Sequence, residues 1–149
     1  MKCPFCRETG SHVYNSRSTK FATQTWRRRR CRRCGRSFTT YEAPDLGFLS
    51  VIKRSGQAQP YSRAKLYSSL YNAFSASVAP ASTMDAITDT IEANVLDMRS
   101  ESVTTRDIAR LSLVALKHFD QGAFLRYLAS QPELARDTAF KRELRRFGA

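Results

Sequence analysis

At 149 residues, 42% apolar and 26% charged, the chain has the composition of a globular protein of one ordinary domain or two small ones, which excludes wholesale disorder. Its net charge of +12 is unevenly spread: residues 1–42 hold eleven Lys/Arg against Glu8 and Glu42, a net +9, which leaves +3 for the rest. No apolar run approaches membrane-spanning length and no hydrophobic signal core opens the chain, so a cytoplasmic protein without membrane contact is expected, its basic third suited to a polyanion.

All four cysteines fall early, as Cys3-Pro-Phe-Cys6 and Cys31-Arg-Arg-Cys34 with 24 residues between the pairs. Each C-x-x-C turn aims two thiolates at one point, and two such knuckles complete a tetrahedral zinc site. Two disulfides are the alternative, but a reducing compartment disfavours them. Gly35 follows the second pair, where positive φ is often needed. With four thiolates available, His12 is expected on the surface rather than on the metal, and the closed site is structural, one zinc per chain. So small a domain depends on the metal for much of its folding energy.

Between the knuckles, residues 13–17 and 25–30 read as two paired strands of a zinc ribbon. Alternation puts Arg27 and Arg29 on one face and Arg28 and Arg30 on the other. Tyr14 and Trp26 add flat surfaces. One or two arginines would offset the zinc tetrathiolate. Four in a row, with Arg17, Arg32, Arg33 and Arg36, exceed that need and point to nucleic acid, double-stranded DNA before RNA.

Residues 43–47, with Pro44 and Gly47, read as a linker. Residues 48–54 read as a strand, Ser55-Gly56 as a tight turn, and residues 57–61 as a return strand that Pro60 confines to an edge. Ser62 is expected to cap a helix running to about Val78, with Leu66, Leu70, Phe74 and Val78 on one face. Ser82 with Asp85 resembles a capping box for a second helix striped by Met84, Ile87, Ile91, Val95 and Met98. Thr104 with Asp107 repeats the signal before a third, striped by Ile108, Leu111, Ala115 and Phe119. Residues 123–130 form a fourth helical stretch ending before Pro132, and residues 133–149 a tail with an amphipathic pattern. The fold class is α+β: a β ribbon (1–42), a linker (43–47) and a mainly helical domain with a short hairpin (48–132).

Lys53 and Arg54 precede the hairpin turn and Lys65 lies in the first turn of the helix after it. Three cations and a helix N-terminus can hold a polyphosphate, although such a pattern is more often a solvated hairpin tip. No G-x-x-x-x-G-K-[ST] loop and no magnesium-holding carboxylate cluster is present, and all four cysteines are committed to zinc, so an enzyme is not expected.

Several segments together resemble one family: Cys3-Pro-Phe-Cys6, Asn15-Ser-Arg17, Arg27 to Arg30, Cys31-x-x-Cys34-Gly35, Phe38-Thr-Thr-Tyr-Glu42, Val51 to Leu66, and Phe124-Leu-Arg126-Tyr127. In order and spacing they are similar to the NrdR repressors of ribonucleotide reductase genes, a zinc ribbon joined to a nucleotide-sensing ATP-cone. The resemblance implies operator DNA as partner of the ribbon, ATP and dATP as regulatory ligands, and homo-oligomers that change with the bound nucleotide. It also implies nucleotide contacts at Lys53, Arg54 and Lys65, with Val51 lining the base pocket. The chain departs from the family pattern at Asn15, Ser55 and Gln59, where acidic residues are usual, and at residues 129–133. A different class of function, a zinc-ribbon accessory protein that binds RNA or RNA polymerase without nucleotide control, stays open as the alternative.

Overall fold

Two units form in a computed structural model of the chain, which describes residues 1–18, 24–74, 81–131 and 138: Met1–Asp45 and Leu46–Ala149.

The first unit is an antiparallel sheet of three strands, β1 (Ser11–Ser18), β2 (Thr25–Cys31) and β3 (Ser37–Glu42), in the order β1-β2-β3. Two strands were expected and there are three. Ser37–Glu42 needs no turn of its own, because the second knuckle reverses the chain, helped by Gly35 at φ +70°. Its Phe, Thr and Tyr residues suit a pleated surface. The arginine strand is therefore central, with neighbours on both edges. The unit's own core is small: Cys3, Cys31 and Phe38, with Cys6 packed against them.

In the second unit Leu46–Phe48 is a 3-10 turn, and the strand expected over residues 48–54 shrinks to β4 (Ser50–Ile52). Leu46 is buried while Phe48 is 64% exposed, so the turn, not a strand, satisfies this end of the segment. At the other end Lys53 already belongs to the hairpin loop: its N–H donates to the Gln57 carbonyl (2.8 Å) and its carbonyl accepts from Gly56 (2.9 Å), which adopts φ +82°. β5 (Ala58–Pro60) returns antiparallel to β4, and Pro60 lies on an edge strand as expected.

Helix α1 (Arg63–Ala73) buries Leu66, Leu70 and Ala73, followed by buried Phe74. Ser62 is its N-cap residue, but its side chain makes no capping hydrogen bond. The expected extension to Val78 lies outside the described residues. Helix α2 (Ala81–Asp97) buries Met84, Ile87, Ile91 and Val95. Ser82 and Asp85 lie inside α2 rather than ahead of it, and Asp85 faces Arg63 at 3.8 Å. Met98 falls past the helix end and is exposed.

A strand the pattern did not reveal, β6 (Ser102–Thr104), pairs parallel with β4. A parallel neighbour needs a long crossover, here supplied by α1 and α2. Helix α3 (Thr105–Phe119) opens with the expected capping box: Thr104 Oγ1 accepts from Asp107 N (3.1 Å), and Asp107 Oδ2 accepts from Thr104 N (3.0 Å). Its buried face is Ala109, Ser112, Leu113, Ala115 and Leu116, rotated from the expected stripe; Ile108 and Leu111 are half-buried and Phe119 is exposed. Ser112 tolerates burial because its hydroxyl donates to the Ile108 carbonyl (2.8 Å). Helix α4 (Gln121–Ala129) is capped by Asp120, whose side chain accepts from Ala123 N. The tail over residues 133–149 lies outside the described residues, apart from residue 138.

Helix α1 packs on α2 and α4, and α3 packs on the same two, closing one apolar core. On its flank Arg63 spans Asp85, Asp89 and Glu92 of α2, and the Tyr61 hydroxyl donates to Glu92 Oε1 (3.0 Å). Burial raises both the Tyr61 phenol and the Glu92 carboxyl above their ordinary values, which keeps the Tyr61 proton on its oxygen. Ile91, fully buried, tests the core: Ile91→Ala is expected to cost about 2–5 kcal/mol in denaturant unfolding of this unit, with zinc content unchanged. Among the described residues, no helix is long and apolar enough to cross a membrane.

Candidate functional site

The four cysteines converge. Their sulfurs all lie within 4.8 Å of one another, with Cys3 Sγ to Cys34 Sγ at 3.7 Å and Cys6 Sγ to Cys31 Sγ at 3.6 Å. A tetrahedron built on Zn–S bonds of about 2.3 Å has edges of about 3.8 Å, whereas an S–S bond is about 2.05 Å. The donor set therefore fits zinc and not disulfides. The backbone N–H of Cys34 holds the Cys31 thiol down to about 7, while burial and the neighbouring thiols push Cys6 up to about 11 against the Glu8 backbone. Four such close sulfurs cannot all ionise without a cation between them. Bound there, zinc locks both knuckles and leaves no open position for chemistry. His12 is exposed on β1 and takes no part in the cluster.

The register of the sheet sorts the arginines. Arg27 pairs with Thr40 and Arg29 with Phe38, so these two share the face of Cys31 and Phe38. There Glu42 takes both: Oε2 lies 2.9 Å from Arg27 Nη2 and Oε1 3.2 Å from Arg29 Nη2. Arg28 and Arg30 occupy the opposite, open face. Arg28 donates to Thr39 Oγ1 (2.9 Å) and to the Tyr14 hydroxyl (3.3 Å), and Arg30 to the Gly35 carbonyl (3.1 Å). The alternation expected for the arginine strand is present, with the added fact that, among the described residues, only the Arg27 and Arg29 face carries a carboxylate.

Arg17 reaches the open face through a β-bulge. Val13 pairs with Arg29 but Asn15 pairs with Arg28, which leaves Tyr14 as an extra residue. Without the extra residue, Arg17 would stand opposite Thr25 on the Glu42 side; with it, Arg17 pairs with Trp26 and joins Arg28 and Arg30. Tyr14, whose hydroxyl also donates to Ser37 Oγ (3.3 Å), and Tyr41, which pairs with Trp26, complete an exposed face rich in arginine and aromatic rings. Arg36 stands apart from the strands, on the knuckle, its guanidinium 5.2 Å above the Phe5 ring.

In the second unit a cavity of about 190 Å³ opens where β4, β5, α1, α3 and α4 meet. Of the expected nucleotide residues it is lined by Val51 and Lys65; Lys53 and Arg54 lie on the exposed hairpin loop and do not line it. Sequence reasoning missed Tyr61, Ser62, Thr105 and Tyr127 among its walls. Only tertiary packing of α3 and α4 brings Thr105 and Tyr127 here; Tyr127 lay in a segment that carried the family resemblance but without a role, and no local pattern marked Thr105. Ser62 could have been found, since an N-cap beside a cation is an anion-site signal. Gln59 accepts from Lys65 Nζ (3.1 Å), so the cavity holds one cation and no carboxylate among its described lining residues.

Comparison with known proteins matches both units. Residues 1–42 match the family described as "Transcriptional repressor NrdR-like, N-terminal domain", and residues 49–136 match the ATP cone domain. Similar proteins named "Transcriptional repressor NrdR" include one from Thermosynechococcus vestitus, 35% identical over 127 residues covering 85% of this chain and 78% of that protein. Another, from Picosynechococcus sp., is 37% identical over 127 residues, covering 85% of this chain and 70% of its own length. A third, from Thermoanaerobacter sp. (strain X514), is 30% identical over 146 residues, covering 98% and 92%.

Proposed function

The chain belongs to the NrdR family of transcriptional repressors, and from that premise we propose that its zinc ribbon binds operator DNA upstream of ribonucleotide reductase genes under control of ATP or dATP held in its ATP-cone. It is a regulator, not an enzyme, as its relatives' name indicates. The observation that carries the DNA reading is the open sheet face, where Arg17, Arg28 and Arg30 stand together beside Tyr14, Trp26 and Tyr41. Guanidiniums on a rigid sheet suit both phosphate oxygens and guanine edges, and the exposed rings of Tyr14 and Tyr41, beside half-buried Trp26, add contact area. Arg36, Arg27 and Arg29 contribute to the attractive field around this face.

The nucleotide reading is supported by the cavity. Val51 offers an apolar wall for a base, and Lys65 with the N-terminus of α1 offers positive charge for phosphate. The Ser62 side chain makes no capping bond, which leaves first-turn N–H groups for an anion. Lys53 and Arg54, just beyond Val51 on the same hairpin, meet phosphates that project from the cavity. ATP and dATP differ by one hydroxyl, and a buried polar partner left unpaired by its absence costs about 1–3 kcal/mol, enough to bias one oligomer over another. The homo-oligomer is the element that couples the two units, because nucleotide and DNA need a shared pair of states to influence each other.

Fluorescence anisotropy with operator DNA, run with ATP, with dATP and with neither, alongside size measurement, tests this reading. Nucleotide-dependent affinity and size are expected. Equal DNA affinity and size under all three conditions would overturn the nucleotide switch, and failure to bind DNA at low salt would overturn the repressor reading. Lys65→Ala is expected to weaken ATP binding by about tenfold or more in calorimetric titration, since it removes the one cation among the cavity's described lining residues, while zinc content stays the same.

A further inference from the structure

We propose that Glu42 is a specificity-determining residue: it ties down Arg27 and Arg29 so that Arg17, Arg28 and Arg30 alone set the ribbon's contacts with DNA. The proposal rests on the DNA reading of the ribbon and adds a division of labour within it.

Four adjacent arginines on a bare strand would attract phosphate from either face and give strong, sequence-blind binding. Glu42, at the end of β3, prevents this on one side. Its two carboxylate oxygens each engage one guanidinium, Arg27 and Arg29, and Thr40 Oγ1 takes Arg29 Nε at 2.9 Å. The Arg29 side chain is only 15% exposed. Arg27 Nε is buried and meets no hydrogen-bond partner among the described residues, while the far end of the same guanidinium pairs with Glu42. A phosphate approaching this face meets two cations already sharing a carboxylate, and meets that carboxylate's own repulsion. On the open face the partners of Arg28 and Arg30 are hydroxyls and a carbonyl, which orient a guanidinium without neutralising it. Exposed ion pairs contribute little to stability, so the effect of Glu42 lies in where the ribbon is positive rather than in whether it folds.

The test is Glu42→Gln in the full chain with zinc bound, measured on operator DNA and on unrelated duplex over a salt series. Affinity for unrelated duplex is expected to rise several-fold and the salt slope to steepen by about one to two, one per arginine released, so that the ratio of operator to unrelated binding falls. Arg27→Ala should then cost more affinity in the Glu42→Gln background than in the native one. With Glu42 intact, Arg28→Ala should cost at least tenfold more affinity than Arg27→Ala, a comparison that holds even if the glutamine variant loses its fold. An unchanged slope and ratio in Glu42→Gln, or equal losses from Arg27→Ala and Arg28→Ala, would overturn the assignment. If the native chain bound neither duplex, the DNA reading itself would fall.

Discussion

Removing zinc, by chelation or by Cys31→Ser, is expected to unfold residues 1–45 and abolish DNA binding while the second unit stays folded. Among its described residues the first unit buries only Cys3, Cys31 and Phe38, with Cys6 beside them, so three of these four core residues are the metal's own ligands. Domains of this size seldom bury enough apolar surface to fold unaided. Structural zinc binding in small fingers contributes about 10–16 kcal/mol at neutral pH, which exceeds the total stability of most small domains. Cys31 is also the last residue of β2, so the ligand and the arginine strand are one continuous element. The second unit has a separate core that includes Leu70, Ile87, Ile91 and Leu116. Trp26 fluorescence would report the ribbon, the chain's only tryptophan lying on β2, and far-ultraviolet circular dichroism would report the helices. A Trp26 signal that survived chelation would show that the sheet's hydrogen bonds hold it without metal.

Replacing Arg28 and Arg30 together by alanine is expected to cost the most DNA affinity of any change that leaves zinc in place. Each guanidinium in bidentate contact contributes about 1–3 kcal/mol, so the pair together removes most of the affinity of a weak binder. Loss of phosphate contacts should also flatten the salt dependence by about one per arginine removed. The sheet survives because both side chains project from the open face, away from Phe38 and Cys31. Their partners, Thr39, Tyr14 and the Gly35 carbonyl, all keep access to water once released. Affinity measured across a salt series, together with zinc content, checks the expectation; undiminished binding would move the DNA face to the Glu42 side.

Much of this was legible in the chain itself. The C-x-x-C spacing named the metal and its four ligands, because knuckle geometry is local and needs only a sheet to bring the pairs together. The apolar stripes of α1 and α2 and the Thr104–Asp107 box were equally local, each resting on periodicity or on a contact three residues long. The Ser82–Asp85 signal had the same form and failed, because α2 runs through it and Asp85 meets Arg63 of another helix. The α3 stripe was right only in part: Ala115 is buried and Ile108 and Leu111 pack against the core, but the fully buried face also takes Ala109, Ser112, Leu113 and Leu116, with the Ser112 hydroxyl satisfied on the helix backbone.

The sequence by itself determined the two C-x-x-C knuckles, the succession of four helices in the second unit and the concentration of positive charge in the first third, since each rests on local spacing or composition. Tertiary structure alone decided which arginines are held and which are open. β3 carries Glu42 to Arg27 and Arg29 from across the sheet, and one bulge residue at Tyr14 turns Arg17 to the side of Arg28 and Arg30. Strand faces alternate with period two, so a single inserted residue inverts everything after it, and no local pattern reports an insertion that only the partner strand can count. The cavity follows the same rule: Lys65 was visible beside the hairpin, but Thr105 and Tyr127 reach it only once α3 and α4 have packed.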